Sequence, residues 1–218
     1  MRGLVSILGL TALLSGAVIV DRIAVIAGGH VIKLSDIDRD IRLTDFLNRA
    51  PLDFTSVARR QAAERLITQQ IIRDEIVNGG YRRAPESEAA QLLADLRRDR
   101  FGGSPERLRQ ALQRDGLTEE QLQAQLLWQI TVLQFINQRF RGGIVVTNED
   151  ARDFYDEHFA ELEQRYPKDN SLETLLPKIK SMLEDQVVNR AFNEWLDQAR
   201  QSEKVEYKPD AFAEGRGK

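Results

Sequence analysis

The side chains best suited to chemistry in this chain are the acids Glu149, Asp150, Asp153, Glu157 and Glu161 and the two histidines, His30 and His158. Paired carboxylates can act as general acid and base or hold a hard cation, and histidine can serve as a base or a zinc ligand. Here the acids fall on a polar stretch with helical character, which reads as a solvated helix face. The histidines stand alone, with no HxxxH-type spacing to build a metal site. No G-x-S-x-G elbow, H-E-x-x-H pair or Cys/His pair is present, and no GxxxxGK[ST] loop that would cradle a nucleotide. The chain has no cysteine, which excludes a thiolate nucleophile, a disulfide framework and a sulfur-ligated metal. Catalytic residues, a metal and a cofactor are therefore not expected.

Charge is equally informative. Arg82, Arg83, Arg97, Arg98, Arg100, Arg107, Arg109 and Arg114 form an arginine-rich part, but Glu86, Glu88, Asp95, Asp99, Glu106 and Asp115 offset all but two of these charges. That is a mixed helix surface more than a nucleic-acid footprint. A net charge of −3 and a pI near 5.6 agree, giving no global attraction to phosphate backbones. With 218 residues, 42% of them hydrophobic, there is material for one domain with a proper core, or for one domain and an appendage. Six prolines, 7% aromatics and abundant Leu, Gln, Glu, Arg and Ala favour helices over a many-stranded sheet.

The N-terminus carries an address. Arg2 is the only charge before Asp21, and residues 3–20 are an unbroken run of apolar, Gly, Ser and Thr residues, as in a secretory signal peptide. Ser15 and Ala17 supply small residues for cleavage after Ala17. The alternatives are cleavage nearer Val20, or retention as a membrane anchor, since a run of this length just suffices to span a bilayer. Leu14-Ser15-Gly16 resembles a lipoprotein box, but Ala17 stands where the lipidated Cys would be required.

The element around which the chain is arranged is a helix over 59–77, capped by Asp53 or Thr55. Its doublets Leu66/Ile67, Ile71/Ile72 and Ile76/Val77 fall on several sides of the axis, so it requires enclosure by neighbours. Before it, strands over 21–27 and 30–34 flank Gly28-Gly29, a two-residue hairpin signal. Ser35 with Asp38 then resembles a capping box that starts a helix near Asp36, running to Arg49 and stopped by Pro51. Further helices are predicted over 86–100, from Ser104-Pro105 to 115, from a Thr118/Gln121 capping box to 141, and from a Thr147/Asp150 cap to 166. A closing helix over 175–200, with Pro177 in its first turn, leads to a strand over 204–207 and a loose tail over 210–218. Gly79-Gly80, Gly102-Gly103 and Gly142-Gly143 each sit where a helical pattern stops.

Three segments in this order resemble the SurA-type periplasmic chaperones, the trigger-factor/SurA peptide-binding class: VDRIAVIAGGHVIKLSDID (20–38), AAERLITQQIIRDEI (62–76) and KIKSMLEDQVVNRAFNEWLDQARQSEKVEY (178–207). VTNEDARDFYDEH (146–158) is similar to the helix that leads into the prolyl-isomerase part of such proteins. One departure matters: only eight residues, 167–174, lie where a parvulin domain would be inserted, and such a domain needs roughly 100. Neither its Gly-Gly-x-Leu-Gly loop nor its histidine is found. The resemblance thus implies binding and withholds catalysis.

It further implies a mainly α fold: a helical SurA-like chaperone core with a small N-terminal β-hairpin joined by a C-terminal strand. After a signal peptide over 1–17, residues 18–209 would form one domain. Within it, 18–146 would be hairpin and helical core or arm, 147–174 connecting helix and linker, and 175–209 closing helix and strand. The helices over 86–141 are expected to form an arm or cradle with an apolar inner side. The implied function is an ATP-independent periplasmic chaperone for unfolded or extended segments of outer-membrane or secreted proteins. Homodimerisation stays open, and membrane contact arises only if the N-terminal segment is retained. Candidate client-binding residues are Phe46, Trp128, Phe135 and Phe140, although aromatics at helical spacing also suit a core. A non-catalytic scaffold protein of the cell envelope and a peptidyl-prolyl isomerase are the other two readings.

Overall fold

The computed structural model describes residues 21–168 and 170–212; the N-terminal apolar run and residues 213–218 lie outside the described residues. The fold is mainly α with one small sheet. Strands β1 (Ile23–Ala27) and β2 (His30–Lys33) form the expected hairpin. Its turn has φ of 54° at Gly28 and 87° at Gly29, a left-handed pair that residues with a Cβ adopt only with strain. Strand β3 (Val205–Tyr207) pairs antiparallel with β1, giving the order β2-β1-β3. Gly28 N–H donates to the Lys204 carbonyl at 3.2 Å and Lys208 N–H to that of Ala24 at 2.9 Å, so the two ends of the described chain close into one sheet.

Helix α1 (Leu34–Asn48) starts directly off β2, two residues earlier than the Ser35 cap predicts. The Ser35 hydroxyl is engaged elsewhere, donating to the Asp21 carboxylate at 2.5 Å, while Asp36 accepts from the Lys33 N–H at 3.1 Å. Helix α2 (Ser56–Asn78) is capped by Thr55, whose hydroxyl accepts from Ala58 N–H at 3.2 Å. It is buried on two sides. Ala62, Ala63, Ile67 and Ile71 join Ala24, Val25 and Ile37 in a core beneath the sheet, whereas Ile72 and Ile76 enter a second core around Phe135. Each fully buried Ile contributes about 1.5–3 kcal/mol relative to exposure. Val77, the second member of the last doublet, is exposed.

Helices α3 (Glu86–Phe101), α4 (Pro105–Arg114) and α5 (Glu119–Phe140) follow, with Ser104 and Thr118 as the predicted N-caps. Leu93, Leu108, Leu112 and Leu122 pack on one another and on Leu43 of α1. The apolar inner side expected of a cradle is consequently filled, by the arm's own side chains together with Leu43 and Phe46 of α1. Helix α8 (Leu172–Ser202), 31 residues and about 46 Å long, is the spine. Its N-terminal half carries α6 (Asn148–Glu157) and α7 (Phe159–Arg165) through Leu175 and Ile179, and its C-terminal half reaches both cores on α2 through Trp195.

Three local expectations are corrected. The helix predicted over 147–166 breaks at His158, whose ring stacks on Phe154 with centroids 4.0 Å apart and whose Nδ1 lies 3.0 Å from the Phe154 carbonyl. Helix α8 begins at Leu172 with Ser171 as cap, so Pro177 occupies its second turn and leaves the Glu173 carbonyl without its helical donor. Finally, of the loose tail expected over 210–218, the first residues are held: Pro209–Ala211 form a 3₁₀ turn, and Phe212 is only 4% exposed, in the core beneath the sheet, while 213–218 lie outside the described residues.

Replacing Ile71 or Ile72 by Asp should unfold the protein, seen as loss of the helical circular-dichroism signal, because each would bury a carboxylate without a partner. Phe212→Ala should cost about 3–5 kcal/mol, read as a lower urea midpoint at unchanged slope. A midpoint equal to that of the parent would show that Phe212 is not held in the core.

Candidate functional site

Where α1, α2, α5 and β2 converge they leave an open cavity of about 450 Å³. Helix α5 contributes Gln121, Gln125 and Trp128, spaced i, i+4, i+7 and hence on one face. Gln69, Gln70 and Arg73 come from α2, Leu43 from α1, and Val31 and Ile32 from β2. A second cavity of about 340 Å³ is lined by Ile76, Arg83, Leu127 and Thr131 and shares Arg73, Ala124 and Trp128 with the first. The two adjoin at Arg73, Ala124 and Trp128, and the pair is called the groove. Its walls combine aliphatic carbons, an indole and glutamine amides, each amide able to donate and accept hydrogen bonds. A shallower hollow over α4 is lined by Phe101 and four polar side chains and lacks such walls.

The groove also has a backbone component. Strand β2 is one of the two edge strands of the sheet among the described residues. A two-residue turn closes on a hydrogen-bonded Ala27/His30 pair, so the next pair, Ile26/Val31, is of the non-hydrogen-bonded kind. The N–H and C=O of Val31 therefore point away from β1, beside the cavity, and Val31 is 47% exposed. Such an edge is a template for another extended chain.

Asp40, on the cavity wall, is 6% exposed and is the one buried acid among the described residues. Arg65 Nη2 stands 2.7 Å and Nε 2.9 Å from its Oδ2, and Gln69 donates to Oδ1 at 3.3 Å. Burial raises its pKa from the usual carboxylate value by more than the Arg65 charge and these hydrogen bonds lower it. Arg73 lies over the Trp128 ring, 4.6 Å from its centroid; burial, and then the charge of Arg83, lower its pKa from the usual guanidinium value.

Of the four aromatics singled out in the sequence, Trp128 alone is among the residues lining the groove. Phe135 is 0% exposed and touches Tyr81, Phe140 and Trp195 edge-on, with ring centroids 5.0, 5.9 and 5.6 Å away. Phe46 is 5% exposed, stacked on Phe101 inside the arm's core. Phe140 packs on Phe192 and Trp195 in the cluster around Phe135. As surfaces for an incoming chain, Phe46 and Phe135 are thus corrected: they are core. Val31, Gln69, Gln70, Arg73 and Arg83 line these cavities and were not singled out in the sequence as client-binding residues. The polar pair Gln69-Gln70 between apolar doublets was the available signal, marking a side of α2 that is not closed by aliphatic packing.

The other chemistry-bearing residues stay apart from the groove's cavities. Asp150 accepts from the Thr147 N–H and hydroxyl as a helix cap, bonds that lower its pKa, and Glu149, Asp153, Glu157 and Glu161 are exposed. His30 Nε2 lies 3.4 Å from Asp74. Among the described residues no three His, Asp or Glu side chains converge to hold a metal ion, and no helix is long and apolar enough to cross a membrane.

Because its pKa is raised, folded Asp40 takes up a proton that the unfolded chain, near 3.8, has already released. The stability contributed by that proton is present at low pH and is lost as pH rises through the raised value. Asp40→Asn, which carries no titrating proton, should therefore gain stability relative to the parent as pH rises from 3.8 towards neutrality, measured by urea unfolding at several pH values. A difference that stays flat or reverses would mean that the ion pair with Arg65 outweighs burial.

No protein-family model matches this chain, and no curated protein matches it.

Proposed function

We propose that this protein is an ATP-independent chaperone of the periplasm that holds unfolded or extended segments of outer-membrane or secreted proteins, without isomerase activity. The observation that carries this reading is the groove at Trp128, lying beside the free edge of β2. An extended client can pair its main chain with Val31 while its alternate side chains meet Trp128, Leu43 and the glutamine amides. Main-chain pairing is blind to sequence, and amides tolerate donors and acceptors alike, so the site suits breadth over selectivity. Binding of this kind is weak at each contact, which permits release without a nucleotide.

Two further features support the reading. The apolar run over residues 3–20 after a single arginine has the pattern of an export signal. The resemblance to SurA-type chaperones runs through the hairpin, α2 and the α8-β3 closure, in the same order. Between Arg165, which ends α7, and Leu172, which starts α8, the chain is far too short for a parvulin domain, consistent with holding in place of catalysis.

The protein should slow aggregation of a denatured β-barrel client at stoichiometric amounts, and no effect at several-fold excess would overturn the reading. Trp128→Ala should weaken binding of an unfolded client peptide by at least about fivefold, with the helical signal retained. Val31→Pro removes an N–H that points outward, leaving the hairpin's own hydrogen bonds in place; it should weaken the same peptide if main-chain pairing operates. Selective capture of one folded partner, with no affinity for unfolded peptides, would instead make the protein a scaffold.

A further inference from the structure

Two arginines along the groove have no acidic partner among the described residues. Of the other charged side chains lining it, Arg39 pairs with Asp36 at 3.2 Å, and Asp40 with Arg65 at 2.7 Å. Arg73 and Arg83 have no Asp or Glu oxygen within 4.0 Å among the described residues. Both line the smaller cavity, where Ile76, Leu127 and the indole of Trp128 supply apolar surface. Like charges held near one another beside apolar surface repel, and an anion between them relieves that repulsion. The groove's own ion pairs cancel, so this pair is its surplus charge.

We propose that Arg73 and Arg83 receive the carboxylate side chain of an Asp or Glu in an extended client, with a neighbouring apolar side chain of that client against Trp128. The inference rests on the peptide-holding reading and adds a charge preference to it. Guanidinium forks match carboxylates in a bidentate manner, and an arginine stacked on an indole is already oriented for that contact. Position favours a side chain over a chain end. Arg73 belongs to both cavities and so sits midway along the groove, where a bound polypeptide passes through instead of terminating.

The test uses fluorescence anisotropy of three labelled peptides on the whole protein: an amidated extended peptide with an aromatic-Glu pair, the same peptide with Gln for Glu, and the Gln peptide with a free terminal carboxylate. The Glu peptide should bind roughly five- to tenfold tighter than its Gln counterpart. That advantage should shrink at high salt and vanish in Arg73→Gln/Arg83→Gln, which should bind the Glu and Gln peptides equally. Should the double variant fail to fold, Arg83→Gln alone carries the test, since Arg83 is exposed and lies outside the buried cores. Equal binding of the Glu and Gln peptides, both weakened by Trp128→Ala, would overturn the carboxylate preference and leave peptide holding intact. No binding of any peptide would overturn both. Tighter binding of the free-terminus peptide than of the Glu peptide would overturn the side-chain assignment in favour of a terminal carboxylate.

Discussion

Helix α2 must bury two sides at once, and the remaining elements are arranged to satisfy that requirement. Ile71 and Ile72 are adjacent in sequence and about 100° apart around the axis, so no single flat neighbour covers both. The sheet with α1 covers the first, and the aromatic cluster of α5 and α8 covers the second. Trp195 is packed against both cores, which ties the closing helix to each. An isolated hairpin or an isolated three-helix arm would leave one of these faces in water.

The same requirement explains how the chain closes. Strand β3 needs β1 as a partner, and the C-terminal end of α8 needs α2; Arg200 pairs with Glu64 of α2, and the Tyr207 hydroxyl donates to that same glutamate. One carboxylate thus ties α2 to the last helix and the last strand. The pinning of Phe212 next to Tyr207, with Arg60 of α2 over both rings, extends this closure past the strand. Residues far apart in the chain therefore make one unit, and the groove is held between rigid helices.

The groove itself follows from incomplete packing. Helices α2 and α5 meet through Ile72, Ile76 and Phe135, but further along α2 its facing residues are Gln69, Gln70 and Arg73, too polar to be closed over without a partner for every group. Asp40 shows how a buried acid is accommodated: Arg65 and Gln69 both engage its carboxylate. The cavity remains open because its polar lining is cheaper to hydrate than to enclose. The features that keep it open are those that suit the proposed holding of an extended chain.

Much of this architecture is local and was legible in the residues alone. Gly28-Gly29 requires a hairpin, Thr55, Ser104 and Thr118 start helices, and the doublets of α2 demand enclosure, because backbone sterics, cap hydrogen bonds and hydrophobic period act within a few residues. Where locality ended, expectation failed. Ser35 is a competent cap whose hydroxyl Asp21 claims, and Phe212 looked like tail until a core was there to receive it. The aromatics are the clearest case. Phe135 and Trp128 sit seven residues apart on the same helix, and nothing in their spacing separates core from groove. That separation was decided by side chains distant in sequence, Tyr81 and Trp195 closing over one ring, and the polar side of α2 leaving the other beside open space.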